Sequence, residues 1–181
     1  MRGVFVTGTG TEVGKTVAAA VLARAQAKAG RRVHVFKPAV SGLDDYPAAA
    51  AESGWERAAE LPDHELLRLA AGSEQSDDEI APYRYGPPVS PHLGAELAGE
   101  AVDPERLEAA ARAAEQGADI LVCEGVGGFL VPLSPTYLVR DLARALGLPV
   151  VIVASPGLGT INHTLLTLES DLPPEPELFV D

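Results

Sequence analysis

The stretch GTGTEVGKT, residues 8–16, joins the apolar run Val4–Val6 to the alanine-rich stretch Val17–Ala29. Its residue types suit the chemistry of phosphate. Backbone N–H groups in a glycine loop converge on an anion, and the N-terminus of the following helix adds the positive end of its dipole. In such a loop Lys15 reaches the β- and γ-phosphates and the Thr16 hydroxyl binds Mg²⁺. The strict pattern G-x-x-x-x-G-K-[ST] sets a glycine five residues before Gly14, where this chain has Thr9. Gly8 lies one residue further back and Gly10 falls inside, so the loop is a variant with one extra residue. The plainer alternative is a glycine turn that only caps a helix. Strand, Gly-Lys-Thr and helix occurring together favour nucleotide phosphate.

Two more residues could share that site. Glu124 ends the buried run Ile120–Glu124 and is followed by Gly125, Val126, Gly127 and Gly128. Ligands of open α/β sheets bind at the carboxyl ends of the strands. Glu124 is therefore placed to face the loop and hold a metal, directly or through water. The glycines after it let backbone approach a ligand closely. The alternative is a strand-end glutamate turned to solvent. Lys37 stands in VFKPAVSG, where Pro38 stops the strand ladder. Beside Lys15 it would give two cations in one cleft, suited to a substrate that becomes anionic and then accepts phosphate. A lysine that snorkels along the surface is the alternative.

Four apolar runs must position these groups: Gly3–Thr7, Val33–Lys37, Ile120–Glu124 and Val150–Ala154. None alternates with period two, which predicts strands covered on both faces. Helical stretches lie between them at Lys15–Ala29, Asp63–Ala71, Pro104–Gln116 and Leu138–Leu146. Gly30, Gly117 and Gly147 follow three of these, where helix ends favour glycine. Strand alternating with helix predicts an α/β fold, a P-loop NTPase-like mainly parallel sheet with helices on both faces. Ser41–Leu61 reads as an irregular excursion, Ala81–His92 as a proline-rich loop, and Asp171–Asp181 as an acidic, proline-containing tail.

Bulk properties set the remaining bounds. A length of 181 residues with 46% hydrophobic content predicts one domain with a real core. The formal charge of -12 argues against a nucleic-acid or anionic-membrane surface. Cys123 is the only cysteine, so no disulfide forms within the chain. It lies in a buried run and reads as a small apolar residue. No pair among His34, His64, His92 and His163 has metal-ligand helix spacing, and His92 reads as structural. No signal peptide or spanning stretch is visible, and the expectation is a soluble cytoplasmic protein.

Taken together, GTGTEVGKT, KPAVSG, PYRYGPPVSPH, EGVGGFLVPL and GLGTINHTLLT resemble the dethiobiotin synthetases, from the first strand to about Thr167. The extra-residue loop is itself the family's form. The resemblance implies an ATP- and Mg²⁺-dependent ligase acting on diaminopelargonate and CO₂. A carbamate forms, ATP phosphorylates it to a mixed anhydride, and the second amine closes the cyclic urea. On this resemblance Lys15 neutralises the transferring phosphoryl group, and Lys37 steadies the carbamate and phosphoryl oxygens. The backbone of Glu12, Val13, Gly14, Lys15, Thr16 and Val17 wraps the triphosphate, with Gly125, Val126 and Gly127 on its other side. Mg²⁺ is held by Thr16, Glu124 and Asp63. The last lies in LPDHELLRLAAG just inside a helix, where aspartate is also a common start residue. Thr11, Glu12 and Ser41 lie beside the substrate. Gly159, Thr160 and Asn162 take the substrate's distal carboxylate across a homodimer interface. Asn162 could equally cap its helix.

The family continues after the GTINHTLLT helix with further strands and helices that build the adenine pocket. Here Thr167-Leu168-Glu169 leads almost at once into LPPEPELFVD. The expectation is therefore a single domain over 1–181 with a section missing near 169–171; a natural deletion would instead expose an apolar sheet edge. Pro173, Pro174 and Glu175 would then line the adenine site. The rivals are another P-loop ATP-dependent enzyme, which does not require both KPAVSG and GTINH, and a nucleotide-switch ATPase, a class that often carries a second lysine early in the phosphate loop, where this chain has none.

Overall fold

Valine-rich runs with no polar alternation become strands of a parallel sheet. The computed structural model describes residues 2–46 and 60–170, with the backbone of 176–177. Its strands are β1 (Gly3–Gly8), β2 (Val33–Phe36), β3 (Ile120–Glu124), β4 (Pro132–Ser134), β5 (Tyr137–Leu138), β6 (Val150–Val153) and β7 (Pro176–Glu177). Five of them form one parallel sheet in the order β2-β3-β1-β6-β7, while β4 and β5 pair as a small antiparallel hairpin. Register sets Val6 opposite Glu124 and Gly8 opposite Val153, so the phosphate loop and Glu124 leave the sheet at one edge.

Successive strand residues feed opposite cores. Phe5, Phe36, Leu121, Cys123 and Ile152 enter one, and Val6, Val35, Val122 and Val151 the other. The helices are α1 (Lys15–Lys28), α2 (Asp63–Ala71), α3 (Asp77–Ile80), α4 (Pro91–Leu97), α5 (Pro104–Glu115), α6 (Val139–Leu146) and α7 (Thr160–Glu169). Helices α1 to α3 contribute to the second core, and α4 to α6 to the first. Each fully buried aliphatic side chain there is worth about 1.5–3 kcal/mol. Small residues matter most between α1 and α2. Ala19, Ala20 and Ala23 lie against Leu67, Ala70 and Ala71, which lets the two helix starts, and hence Thr16 and Asp63, come together.

The differences from expectation have local causes. Strand β2 stops at Phe36, one residue early, because the Lys37 N–H turns to the Ile80 carbonyl at 2.8 Å. Helices α1 and α5 also end one residue early, and α6 starts one residue late. The segment 81–92 is more than a loop. The Val40 N–H donates to the Tyr83 carbonyl, the Tyr85 N–H donates to the Val40 carbonyl, and Val40 bridges Arg84, so this segment braces residues 37–43. Pro91 then opens α4. Gln75 guards the outer edge of β2: its amide accepts from Val35 N–H at 2.8 Å and donates to Val35 carbonyl at 3.1 Å, occupying groups that an edge strand would otherwise expose. Within Ser41–Leu61, Leu43–Asp45 forms a 3₁₀ turn, and 47–59 lies outside the described residues.

Candidate active site

The phosphate loop is shaped by what cannot fit at its start. A Cβ on Gly8 would lie 2.7 Å from Val13 Cγ2 and 2.9 Å from Lys15 Cγ. Glycine at 8 rather than 9 is thus a packing requirement of the longer loop. Gly14 sits just before α1 with φ 95, and Glu12 adopts φ 61, the one described non-glycine residue in the left-handed region. Such a conformation is uncommon outside glycine and persists where surrounding structure imposes it. The first bond of α1 runs from Ala18 N–H to Gly14 carbonyl at 3.0 Å, so the N–H groups of residues 15–17 have no partner within the helix. The Lys15 ammonium donates to Gly10 carbonyl at 2.6 Å, across the loop it serves.

The loop forms one wall of a cavity of about 450 Å³. Thr11, Glu12, Gly14, Lys15, Thr16, Val17, Lys37, Ser41, Asp63, Glu124, Val126 and Gly127 all line it. Val13 and Gly125 do not. Gly125 is instead small for the sake of the core, since a Cβ there would lie 2.9 Å from Val139 Cγ1 and 3.2 Å from Phe5 Cε1. The core therefore constrains this position as well. Gly127, with φ 58, does face the cavity.

Charge is buried at the cavity floor. Lys37 is 3% exposed and Glu124 0%. The Lys37 ammonium lies 2.8 Å from Glu124 Oε1 and 2.6 Å from Asp63 Oδ2. Thr16 Oγ1 lies 3.0 Å from Asp63 Oδ1 and 2.9 Å from Glu124 Oε1. A single hydroxyl proton cannot satisfy two anionic oxygens at once. Burial opposes the charge on Lys37, but Glu124 and Asp63 outweigh it and hold the ammonium well above its usual range. Burial lowers Lys15, helped by the nearby positive charge of Lys37. Burial works against the Asp63 carboxylate too, yet Lys37 keeps it below the usual range. Burial raises Glu124 despite Lys37.

These oxygens fit a magnesium ion. Ligands at about 2.0–2.1 Å in an octahedron stand about 2.9 Å from their neighbours, close to the Thr16–Asp63 and Thr16–Glu124 separations. Glu124 Oε2 is buried with no hydrogen-bond partner. Among the described residues no group of three or more His, Cys, Asp or Glu is arranged to hold a metal ion by itself. Two carboxylates and a hydroxyl suit an ion that keeps water and phosphate ligands.

Gly159, Thr160 and Asn162 are not part of this cavity; they start α7, with Asn162 exposed. Pro173, Pro174 and Glu175 lie outside the described residues. Ala39, Gly42, Asp45, Tyr46 and Pro88 also line the cavity and had no distinguishing signal beyond nearness to Ser41 or membership of the proline-rich segment. Cys123 is fully buried, and burial pushes its thiol far up, in keeping with an apolar role.

A family model described as an AAA domain matches residues 2–170. An ATP-dependent dethiobiotin synthetase BioD of Anaeromyxobacter dehalogenans (strain 2CP-C) is 44% identical over 170 residues, 94% of this chain and 70% of that protein. The chain belongs to the dethiobiotin synthetase family. Two further synthetases are similar: that of Ralstonia nicotianae at 46% identity over 92% of this chain and 69% of its own length, and that of Bacillus subtilis (strain 168) at 37% over 93% and 68%. Among solved structures, the kinase domain of the Escherichia coli tyrosine kinase ETK matches with TM-score 0.51 at 17% identity. That match covers 93% of this chain but only 61% of the kinase chain, and at this identity it shows the shared fold alone. The family match of 2–170 includes the phosphate loop, Lys37, Asp63, Glu124 and α7.

Proposed function

We propose that this chain forms dethiobiotin from 7,8-diaminopelargonate, CO₂ and ATP, with Mg²⁺. One observation carries the reading: Lys15, Lys37 and the Thr16–Asp63–Glu124 oxygens open onto one cavity beside a phosphate loop. One substrate amine forms an N–C bond to CO₂ and loses a proton, giving a carbamate. A carbamate oxygen then attacks the γ-phosphorus, and ADP departs with the electrons of the broken P–O bond. The second amine attacks the activated carbon, phosphate leaves, and the remaining amine proton is released as the ring closes.

The chain's part is charge management. Lys37 steadies the carbamate and phosphoryl oxygens, and Lys15 draws charge from the transferring group. The N–H groups of Glu12–Val17 wrap the triphosphate, while Thr11, Glu12 and Ser41 line the substrate end. Thr16, Asp63 and Glu124 hold the Mg²⁺, whose bound charge offsets that of the phosphates. Preorganised cations in such a site act more strongly than in water.

The reading includes a homodimer, because α7 carries Ile161, Leu165 and Leu166 exposed, next to a fully exposed Leu158. Covering that face with a second copy would bring Gly159, Thr160 and Asn162 to the partner's substrate. It also includes one domain with a section missing near 169–171, since the alignment covers 70% of the Anaeromyxobacter relative.

The test of activity is phosphate release from ATP. It should require diaminopelargonate and bicarbonate together and yield dethiobiotin. Turnover with either compound alone would remove the proposal. Among the described residues no helix is long and apolar enough to cross a membrane.

A further inference from the structure

We propose that Lys37 is the built-in counter-cation of the metal-holding carboxylates, and that its ammonium leaves Asp63 and Glu124 for the substrate end of the cavity when a divalent cation loads. The inference rests on the reading of Thr16, Asp63 and Glu124 as the metal-holding set. The Lys37 ammonium bonds Asp63 Oδ2 at 2.6 Å and Glu124 Oε1 at 2.8 Å. Glu124 Oε1 is also one of the two oxygens converging on Thr16. One oxygen is thus shared between the lysine and the place of the metal. Two fully buried neighbours with opposite charges need each other: an uncompensated carboxylate at 0% exposure would be costly, and Lys37 supplies the compensation from within the chain.

A divalent cation supplies the same compensation twice over, and it repels an ammonium on the same oxygen. The lysine has somewhere to go. Its backbone is pinned by the N–H bond to the Ile80 carbonyl at 2.8 Å, so only the flexible four-carbon stem need swing. The cavity that Lys37 lines is also lined by Ala39, Ser41 and Gly42. Movement along it carries the positive charge from the metal-holding oxygens to the place where the proposed reaction develops negative charge. Loading of the metal would thereby arm the cleft for the carbamate, and an unloaded cleft would hold its second lysine back.

Mn²⁺ binding without nucleotide, followed by the electron paramagnetic resonance of the free ion, tests this. Lys37→Met keeps the stem and removes the competing charge. It should bind Mn²⁺ at least tenfold tighter than the unaltered protein, and adding Glu124→Gln should cancel the gain. Equal or weaker binding by Lys37→Met, with Glu124→Gln weakening Mn²⁺ binding in the unaltered background, overturns the exchange while leaving the metal site intact. Mn²⁺ binding indifferent to both Glu124→Gln and Asp63→Asn removes the metal site itself, and the exchange with it. A second measurement needs no change at Lys37. The chain has three lysines, so ¹⁵Nζ-lysine protein gives few ammonium signals, assignable through Lys28→Arg and Lys15→Arg. With a non-hydrolysable ATP analogue alone, the Lys37 ammonium should exchange its protons slowly. Adding Mg²⁺ should speed that exchange severalfold; an unchanged rate would overturn the proposal.

Discussion

The cleft and the α7 face invert the usual partition of a protein in opposite ways. In the cleft, charges are inside: Lys37 is 3% exposed and Glu124 0%. On α7, apolar groups are outside: Ile161 is 76% exposed, Leu165 52% and Leu166 57%. Buried charges and exposed apolar patches are the two departures that call for explanation. The cleft is nearly self-sufficient, because the ions satisfy one another within one chain. Its remaining need, seen at Glu124 Oε2, is for something small and positive. Among the described residues nothing covers the apolar side chains of α7, and that face asks for a surface. A ligand would complete the first region and, in the proposed homodimer, a second copy the second.

The largest effect should come from breaking the self-sufficiency of the cleft. Glu124→Ala leaves Lys37 buried with half its carboxylate partners. Removing one member of a buried ion pair costs about 3–5 kcal/mol, and denaturant titration of the metal-free protein should show it. A loss below 1 kcal/mol would mean that Lys37 escapes to solvent easily. Next comes Lys15→Ala. Burial opposes the charge of this lysine, and among the described residues its side chain bonds the Gly10 carbonyl, so its removal should spare the fold. Product formation should fall ~10²–10³-fold, as for loss of one transition-state donor. Full activity would place phosphoryl stabilisation elsewhere. Lys37→Ala should divide the two halves of the chemistry, slowing carbamate phosphorylation far more than it weakens nucleotide binding. Calorimetry showing nucleotide affinity lost with turnover intact would contradict its assigned place.

Why some of this was legible and some not follows from separation along the chain. The strands and α1 are written in contiguous residues, and the Gly-Lys-Thr start of α1 carries its chemistry locally. So does the capping box of α3, where the Ser76 hydroxyl accepts from Glu79 N–H and the Glu79 carboxylate accepts from Ser76 N–H, a pattern present in SDDE and overlooked. Lys37 was ambiguous because its burial depends on Asp63 and Glu124, far away in sequence. The Gln75 latch on Val35 is likewise a 40-residue contact without periodic signature. The glycine at 125 reads in sequence as room for a ligand, while the constraint that Val139 and Phe5 impose from the core side has no local signature. In each case the element could be read in place, but the partner of a buried polar or small residue could not.

The α7 face offers the gentlest way to separate the two regions. Ile161 is the second residue of α7 and 76% exposed, so Ile161→Asp removes no core packing. An acidic group in the first turn also complements the helix dipole. Monomer stability should therefore change by no more than about 0.5 kcal/mol, the range of ordinary surface substitutions. Light scattering should nevertheless show the protein shifting from twice the chain mass to once. The cleft predicts its own response: Mn²⁺ and nucleotide affinities should hold, because Thr16, Asp63 and Glu124 belong to one chain. The KM for diaminopelargonate should rise, because Gly159, Thr160 and Asn162 would no longer reach across to the partner's cavity. A variant that stays dimeric would move the interface away from α7. A monomer with unchanged KM would deny those three residues their role in holding the substrate's carboxylate.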